Sequence, residues 1–124
     1  MDITPLVPEG RQVIEAYGDM GFRVSGYRYE GSILILPDQT IAWAVSSSDE
    51  LSVESLDHVT DRSEVELLLL GLGRKTVMIP RNFRAALKEK GVAVEPMDTG
   101  AASRTYNVLQ AEGRRVAAAL IAVE

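Results

Sequence analysis

The chain has 124 residues, of which 46% are apolar and 25% charged, and a formal net charge of −5. A chain of this length supports one domain, 1–124, with about two-thirds of the unfolded surface withdrawn from water on folding. The composition is that of a globular protein, and the absence of cysteine removes disulfides, thiolate nucleophiles and thiolate metal sites together.

The longest apolar runs, Leu67 to Leu70 and Val116 to Val123, fall well short of the roughly 18 residues that a membrane-spanning helix needs. The start, Met1 to Pro8, shows no basic and apolar pattern of a secretory signal and no arginine-rich transit pattern, so a cytoplasmic location is expected. Charge is unevenly spread. Residues 1–70 hold 4 basic and 13 acidic side chains, a balance of −9; residues 71–124 hold 9 basic and 5 acidic, a balance of +4. A basic face in the C-terminal half would suit nucleic acid, but phosphate binding wants a strong positive field and the whole chain is acidic. Ordinary solvated helix faces account for the same pattern.

Residues 1–10, with two prolines and a glycine, read as an extended lead-in. Val13 to Tyr17 reads as a short strand, Gly18 to Gly21 as a turn, and Phe22 to Val24 and Tyr27 to Tyr29 as alternating strand pieces punctuated by Gly26 and Gly31. Ser32 to Leu36 is a strand, Pro37 to Thr40 a turn, and Ile41 to Val45 the returning hairpin partner. The N-terminal half is therefore largely antiparallel β. Val53, Leu56 and Val59, three apart, predict one or two helical turns over 53–61.

The pattern then changes. Val65 to Leu70 is a buried strand stopped by Gly71-Leu72-Gly73, and Val77 to Ile79 is a second, short apolar run. Pro80 opens a helix of about ten residues that points Phe83, Ala86 and Leu87 inward and Arg81, Arg84, Lys88 and Lys90 outward; Gly91 closes it. Val92 to Val94 is a strand. A second main helix runs from about Gly100 to Glu112, capped by Asp98 or Thr99 and ended by Gly113. Ala102, Tyr106 and Leu109 form its apolar stripe, widened by Ala101, Thr105 and Val108. Val116 to Val123 is apolar on both faces and so central. Strands alternating with helices make this half an α/β unit with a partly parallel sheet.

Several residues invite a chemical reading. Gly71 to Thr76 has glycines after a strand, which can expose N–H groups to phosphate, but it matches neither a dinucleotide fingerprint nor a Walker loop, and a tight strand exit uses the same residues. If strands 65–70 and 92–95 are parallel, this loop and the Asp98-Thr99-Gly100 turn share the carboxyl edge of the sheet, where open α/β sheets bind ligands. A candidate anion cleft is then Gly71, Gly73, Asp98, Thr99 and Arg104, with Arg74 nearby; plain helix capping is the alternative. His58, the single histidine, lacks companions for a metal set, and no metal site is expected. Asp49, Glu50, Glu54 and Asp57 form an acidic run on a loop. Glu112, at a helix end where a carboxylate opposes the macrodipole, is expected to pair with Arg114 or Arg115. No catalytic residue and no cofactor is implied.

The run Met97-Asp98-Thr99, Ala101-Ala102, Arg104-Thr105-Tyr106-Asn107, Leu109, Glu112-Gly113-Arg114-Arg115-Val116 and Ala118-Ala119-Leu120 closely resembles the signature end of a family of small domains of unknown function. That family includes the mitochondrial assembly factor 3 of respiratory complex I and an adipogenesis-associated cytosolic protein. Leu69-Leu70-Gly71 with Gly73, Leu87 with Gly91 and Val94-Glu95, and Ala16-Tyr17-Gly18 with Gly21-Phe22 look like it as well. The resemblance implies an α/β fold in three layers, with a mixed, mostly parallel central sheet in which one strand opposes the others. It implies no reaction. The family often has threonine where this chain has Leu72 and cysteine where it has Ser103.

The resulting expectation is a non-enzymatic binding domain that acts on a protein partner, possibilities being a respiratory-complex subunit or another protein, with Arg81, Arg84, Lys88 and Lys90 as the candidate interaction face. The rival is a small anionic-ligand domain or enzyme that uses the carboxyl-edge cleft. Nucleic-acid binding through the same four basic residues is a third reading.

Overall fold

The computed structural model describes residues 12–124, so the lead-in expected over 1–10 lies outside the described residues. Among these residues eight strands fall into two sheets. Strands β1 (Ile14–Gly18), β2 (Gly21–Val24) and β3 (Tyr27–Glu30) form an antiparallel meander. Strands β4 (Ile33–Ile35), β5 (Thr40–Ala42), β6 (Leu67–Gly71), β7 (Ala93–Met97) and β8 (Val116–Leu120) form a sheet of order β5-β4-β8-β6-β7. In it β6 runs parallel to both β7 and β8, while β4 is antiparallel to β8 and to β5. Four strands therefore share one direction and β4 alone opposes them. Three helices complete the fold: the single turn α1 (Asp57–Thr60), α2 (Arg81–Glu89) and α3 (Thr99–Ala111).

Side-chain alternation along the central strands builds two cores on opposite faces of this sheet. Leu34, Leu68, Leu70, Ala117 and Ala119 pack on one side with Leu56, Val59, Phe83 and Leu87, beneath α1 and α2. Ile33, Ile35, Leu69, Val116, Ala118 and Leu120 pack on the other with Ala102 and Tyr106 of α3 and Ile14, Phe22 and Val24 of the meander. These are the three layers. The leucine run of β6 and the alanine run of β8 are apolar on every position because both faces are covered.

Both main helices end by the same device. Gly91 and Gly113 lie in the left-handed region, at φ 88° and 79°. Gly91 N–H bonds Lys88 O and Val92 N–H bonds Leu87 O; Gly113 N–H bonds Gln110 O and Arg114 N–H bonds Leu109 O. This paired closure satisfies carbonyls that a helix end leaves open, and glycine adopts the conformation without strain.

Some elements differ from the sequence expectation. The β5 strand ends at Ala42, short of the expected 41–45: Trp43 N–H still donates across to Ser32 O at 2.9 Å, and its buried indole Nε1–H donates to Ser55 O at 2.9 Å. The inward face of α3 carries Thr99, Ala102, Ser103, Tyr106 and Gln110, whereas Val108, expected to widen the stripe, is 57% exposed. The meander, which α3 contacts through β1, sets that face. In the turn between β1 and β2 the glycines flank the corners rather than occupy them. Asp19 and Met20 are themselves left-handed, at φ 51° and 61°. Arg28 Nη2 donates to Asp19 O at 2.9 Å and Met20 N–H to Val123 O at 2.8 Å, holding that unfavourable geometry.

Candidate functional site

Because β6 and β7 are parallel and in register, Gly71 opposite Met97, the Gly71 loop and the start of α3 meet at one edge. There they bond directly to each other. Thr99 N–H donates to Gly73 O at 2.8 Å, and Gly73 N–H donates to the Thr99 hydroxyl at 3.0 Å. That hydroxyl in turn donates to Ile121 O at 2.7 Å. Ile121 N–H closes the ring on Gly71 O at 2.8 Å. Thr99 is fully buried. A Cβ at position 71 would lie 2.8 Å from Leu120 Cδ2 and 3.0 Å from Thr99 Cα, so the strand exit needs glycine for close approach. Threonine, with one hydroxyl that both donates and accepts, ties the ends of β6 and β8 to the first turn of α3.

Asp98 caps α3, its Oδ1 accepting from Ala101 N–H at 2.8 Å. The Ser103 hydroxyl donates back to Thr99 O at 2.8 Å within the helix. Two candidate anion donors thus meet protein acceptors: Gly73 N–H meets the Thr99 hydroxyl and Ala101 N–H meets Asp98.

Arg104 lies one turn further along α3. Its Nη1 donates to the Tyr17 hydroxyl at 3.0 Å. Asn107, another turn on, makes two bonds to one residue of β1: its Oδ1 accepts from Ile14 N–H at 2.9 Å and its Nδ2 donates to Ile14 O at 2.7 Å. Tyr106, between them, is buried in the core. The Arg104-Thr105-Tyr106-Asn107 segment therefore docks the meander onto α3. Between these elements is a hollow of about 280 Å³, lined by Glu15, Tyr17, Ser103, Arg104 and Asn107 among others. Of the candidate cleft, Gly71, Gly73 and Thr99 form one bonded cluster capped by Asp98, and Arg104 faces this separate hollow. Arg74 pairs with Glu124 at 3.2 Å.

The four candidate interaction residues, Arg81, Arg84, Lys88 and Lys90, are exposed on α2 and at its C-terminal cap. Arg84 is tethered, its Nη1 donating to Val94 O at 2.7 Å on the sheet-edge strand β7. His58 is exposed. Among the described residues no group of three or more histidine and carboxylate side chains converges as a metal site would. Glu112 makes no ion pair among the described residues. Its expected partner Arg115 pairs instead with Glu66, placed beside it by the approach of β8 to β6. In the acidic run, Glu50 Oε1 accepts from the Ser46 hydroxyl at 2.6 Å, Ser46 N–H at 2.7 Å and Ser47 N–H at 3.1 Å. The Ser46 hydroxyl, followed by the two N–H groups, holds its carboxyl below the usual carboxylate range.

Sequence reasoning missed one region. Met78 is 94% exposed and Val77 40% exposed, on a loop between β6 and α2. They border a groove of about 580 Å³ whose apolar base includes Leu51, Val53, Ile79 and Phe83. The available signal was the run Val77 to Ile79 followed by a proline, apolar but too short to pack as an element.

A family model described as a protein of unknown function, DUF498/DUF598, matches residues 14–121. The chain belongs to this family. Among its relatives is the zebrafish (Danio rerio) NADH dehydrogenase [ubiquinone] 1 alpha subcomplex assembly factor 3, 38% identical over 110 residues. That match takes in 88% of this chain and 63% of the relative, so the chain spans less than two-thirds of the assembly factor's length. A crystal structure described as an outer membrane protein from Bartonella henselae is 40% identical with a TM-score of 0.86, over 93% of this chain and 98% of that one. The solution structure of a Bordetella pertussis protein described as a Mth938-like domain is 30% identical with a TM-score of 0.81, over 98% of this chain and 92% of that one. No helix of the described residues is long and apolar enough to cross a membrane.

Proposed function

We propose that this domain is a non-enzymatic protein-binding module of the assembly-factor kind, which works in the cytoplasm by contact with respiratory-complex subunits. The observation that carries this reading is the 38% identity to complex I assembly factor 3 across 88% of the chain. Support also comes from the hydrogen bonding of the sheet's carboxyl edge, where the polar groups of Gly73, Asp98 and Thr99 hold the fold. The basic face of α2 contributes to the contact, with Arg81, Lys88 and Lys90 reaching outward and Arg84 held to β7. Affinity capture of the tagged full chain from its own cells, at low and moderate salt, tests this. Respiratory-complex subunits recovered above control are expected; their absence at both salt levels overturns the reading.

A second reading has one specific observation in its favour: the hollow between β1 and α3 presents Arg104, Ser103 and the Tyr17 hydroxyl together. A small anion held there would be lost in Arg104→Ala while the fold stays intact, as read by a thermal-shift screen of phosphates and carboxylates. A variant that loses its fold instead assigns Arg104 to docking the meander alone.

A further inference from the structure

The groove beside α2 differs from every other hollow described in what surrounds it. Its base is apolar: Leu51, Val53 and Ile79 are half-buried against the core, and Phe83 closes it from α2. One wall is the Val77-Met78 loop, with the Met78 side chain almost wholly in solvent. Asp49 and Glu54 also line it, and neither makes an ion pair or side-chain hydrogen bond among the described residues. Among the described residues no basic side chain lines the groove. An unbranched thioether reshapes to fit different apolar partners, and an exposed apolar strip rimmed by polar groups marks an interaction site. Two unpaired carboxylates on the rim favour a cation and disfavour anionic lipid or nucleic acid.

We infer that this groove receives a short segment of a partner protein whose apolar side chains lie against Met78, Val77 and Phe83 and whose lysine or arginine meets Asp49 and Glu54. This rests on the protein-binding reading above and names the chemistry of the partner. The occupant lies along the apolar base, with its cation at the rim where it keeps part of its hydration. The groove therefore selects by apolar spacing and by the sign of one flanking charge.

The probe is a random twelve-residue peptide library displayed on phage and panned on the full chain, followed by affinity measurement with the enriched synthetic peptides. Enriched sequences are expected to combine two or more large apolar residues with Lys or Arg. Their affinity should fall at least tenfold in Met78→Ser and in the Asp49→Asn, Glu54→Gln pair. Raising the salt should weaken them further, as rim charges are screened. Met78 is so exposed that its replacement leaves the fold in place, and Tyr27→Ser, at another large exposed side chain, should bind as the parent does. Peptides that bind equally to all variants, an enriched set lacking basic residues, or no enrichment overturns the inference. Concentration-dependent self-association that Met78→Ser abolishes also overturns it, by assigning the groove to a second copy. The two readings separate in cell capture: respiratory-complex subunits recovered equally by parent and Met78→Ser leave the assembly reading standing and remove the groove. Peptide binding as expected with no such subunits does the reverse.

Discussion

The corner where α3 meets the ends of β6 and β8 and the groove beside α2 are opposites. At the corner the residues are recognisable, a glycine pair, a capping aspartate and a threonine, and protein atoms engage them. At the groove the residues are unremarkable in sequence, yet a methionine and a valine face solvent and two carboxylates lack partners among the described residues. A signature of residues in a small domain can therefore mark what holds the fold, while the surface left for a partner carries no motif. Substitutions at the corner should act on stability and those at the groove on binding.

The largest effect is expected for Thr99→Val. It keeps the shape but takes the side-chain partner from the part-buried Gly73 N–H and the buried Ile121 O. Each such group costs about 1–3 kcal/mol, so a loss of roughly 2–4 kcal/mol is expected. Urea denaturation should show a lower midpoint at an unchanged slope. A change under 1 kcal/mol would mean that water enters the corner, which would reopen it as a ligand site.

Next is Asn107→Ala, which removes both bonds to Ile14. About 1–2 kcal/mol of stability should go, most of it from the meander. Native-state hydrogen exchange should speed at the Ile14 amide and leave the β6 amides nearly as slow as before. Uniform acceleration would show the two sheets to unfold as one unit. For Asp98→Ala the expected loss is about 1 kcal/mol, the usual value of a helix cap, and Asp98→Asn should recover most of it.

Much of this contrast lies in how each region is encoded. The helix ends at Gly91 and Gly113 and the cap at Asp98 are local, so chain order reveals them. The central place of β8 follows from its unbroken apolar run. The Asn107 bonds to Ile14 join residues 93 apart, and the pairing of Arg115 with Glu66 joins residues 49 apart. No local pattern marks either one. Val108 misled because helical periodicity says which residues share a stripe, not how far round the neighbouring layer reaches. The groove was illegible for the same reason: Leu51, Val53 and Phe83 become one surface only when α2 packs beside the 48–54 segment.

On the groove side, Met78→Ser should move thermal stability by no more than about 0.5 kcal/mol, since its side chain leaves little to lose on folding. A larger fall would place Met78 in the core of the free protein and remove it as a contact for partners.

The smallest effect concerns the turn that leads into Leu51. Glu50 accepts three hydrogen bonds from Ser46 and Ser47, and these donors favour its ionised form. Its folded pKa is lowered, so its stabilising contribution is complete above the unfolded carboxylate pKa and fades as pH falls through the folded one. Glu50→Gln keeps an oxygen acceptor but removes the charge. The parent should therefore melt slightly above the variant at neutral pH, and the two curves should converge in acid once Glu50 is protonated in both states. A gap that stays constant from pH 7 to below the folded pKa would show that the amide fails by geometry rather than by charge. The Ser46–Glu50 turn would then be held by shape alone, unlike the Gly71 corner, which hydrogen bonds through Thr99 hold.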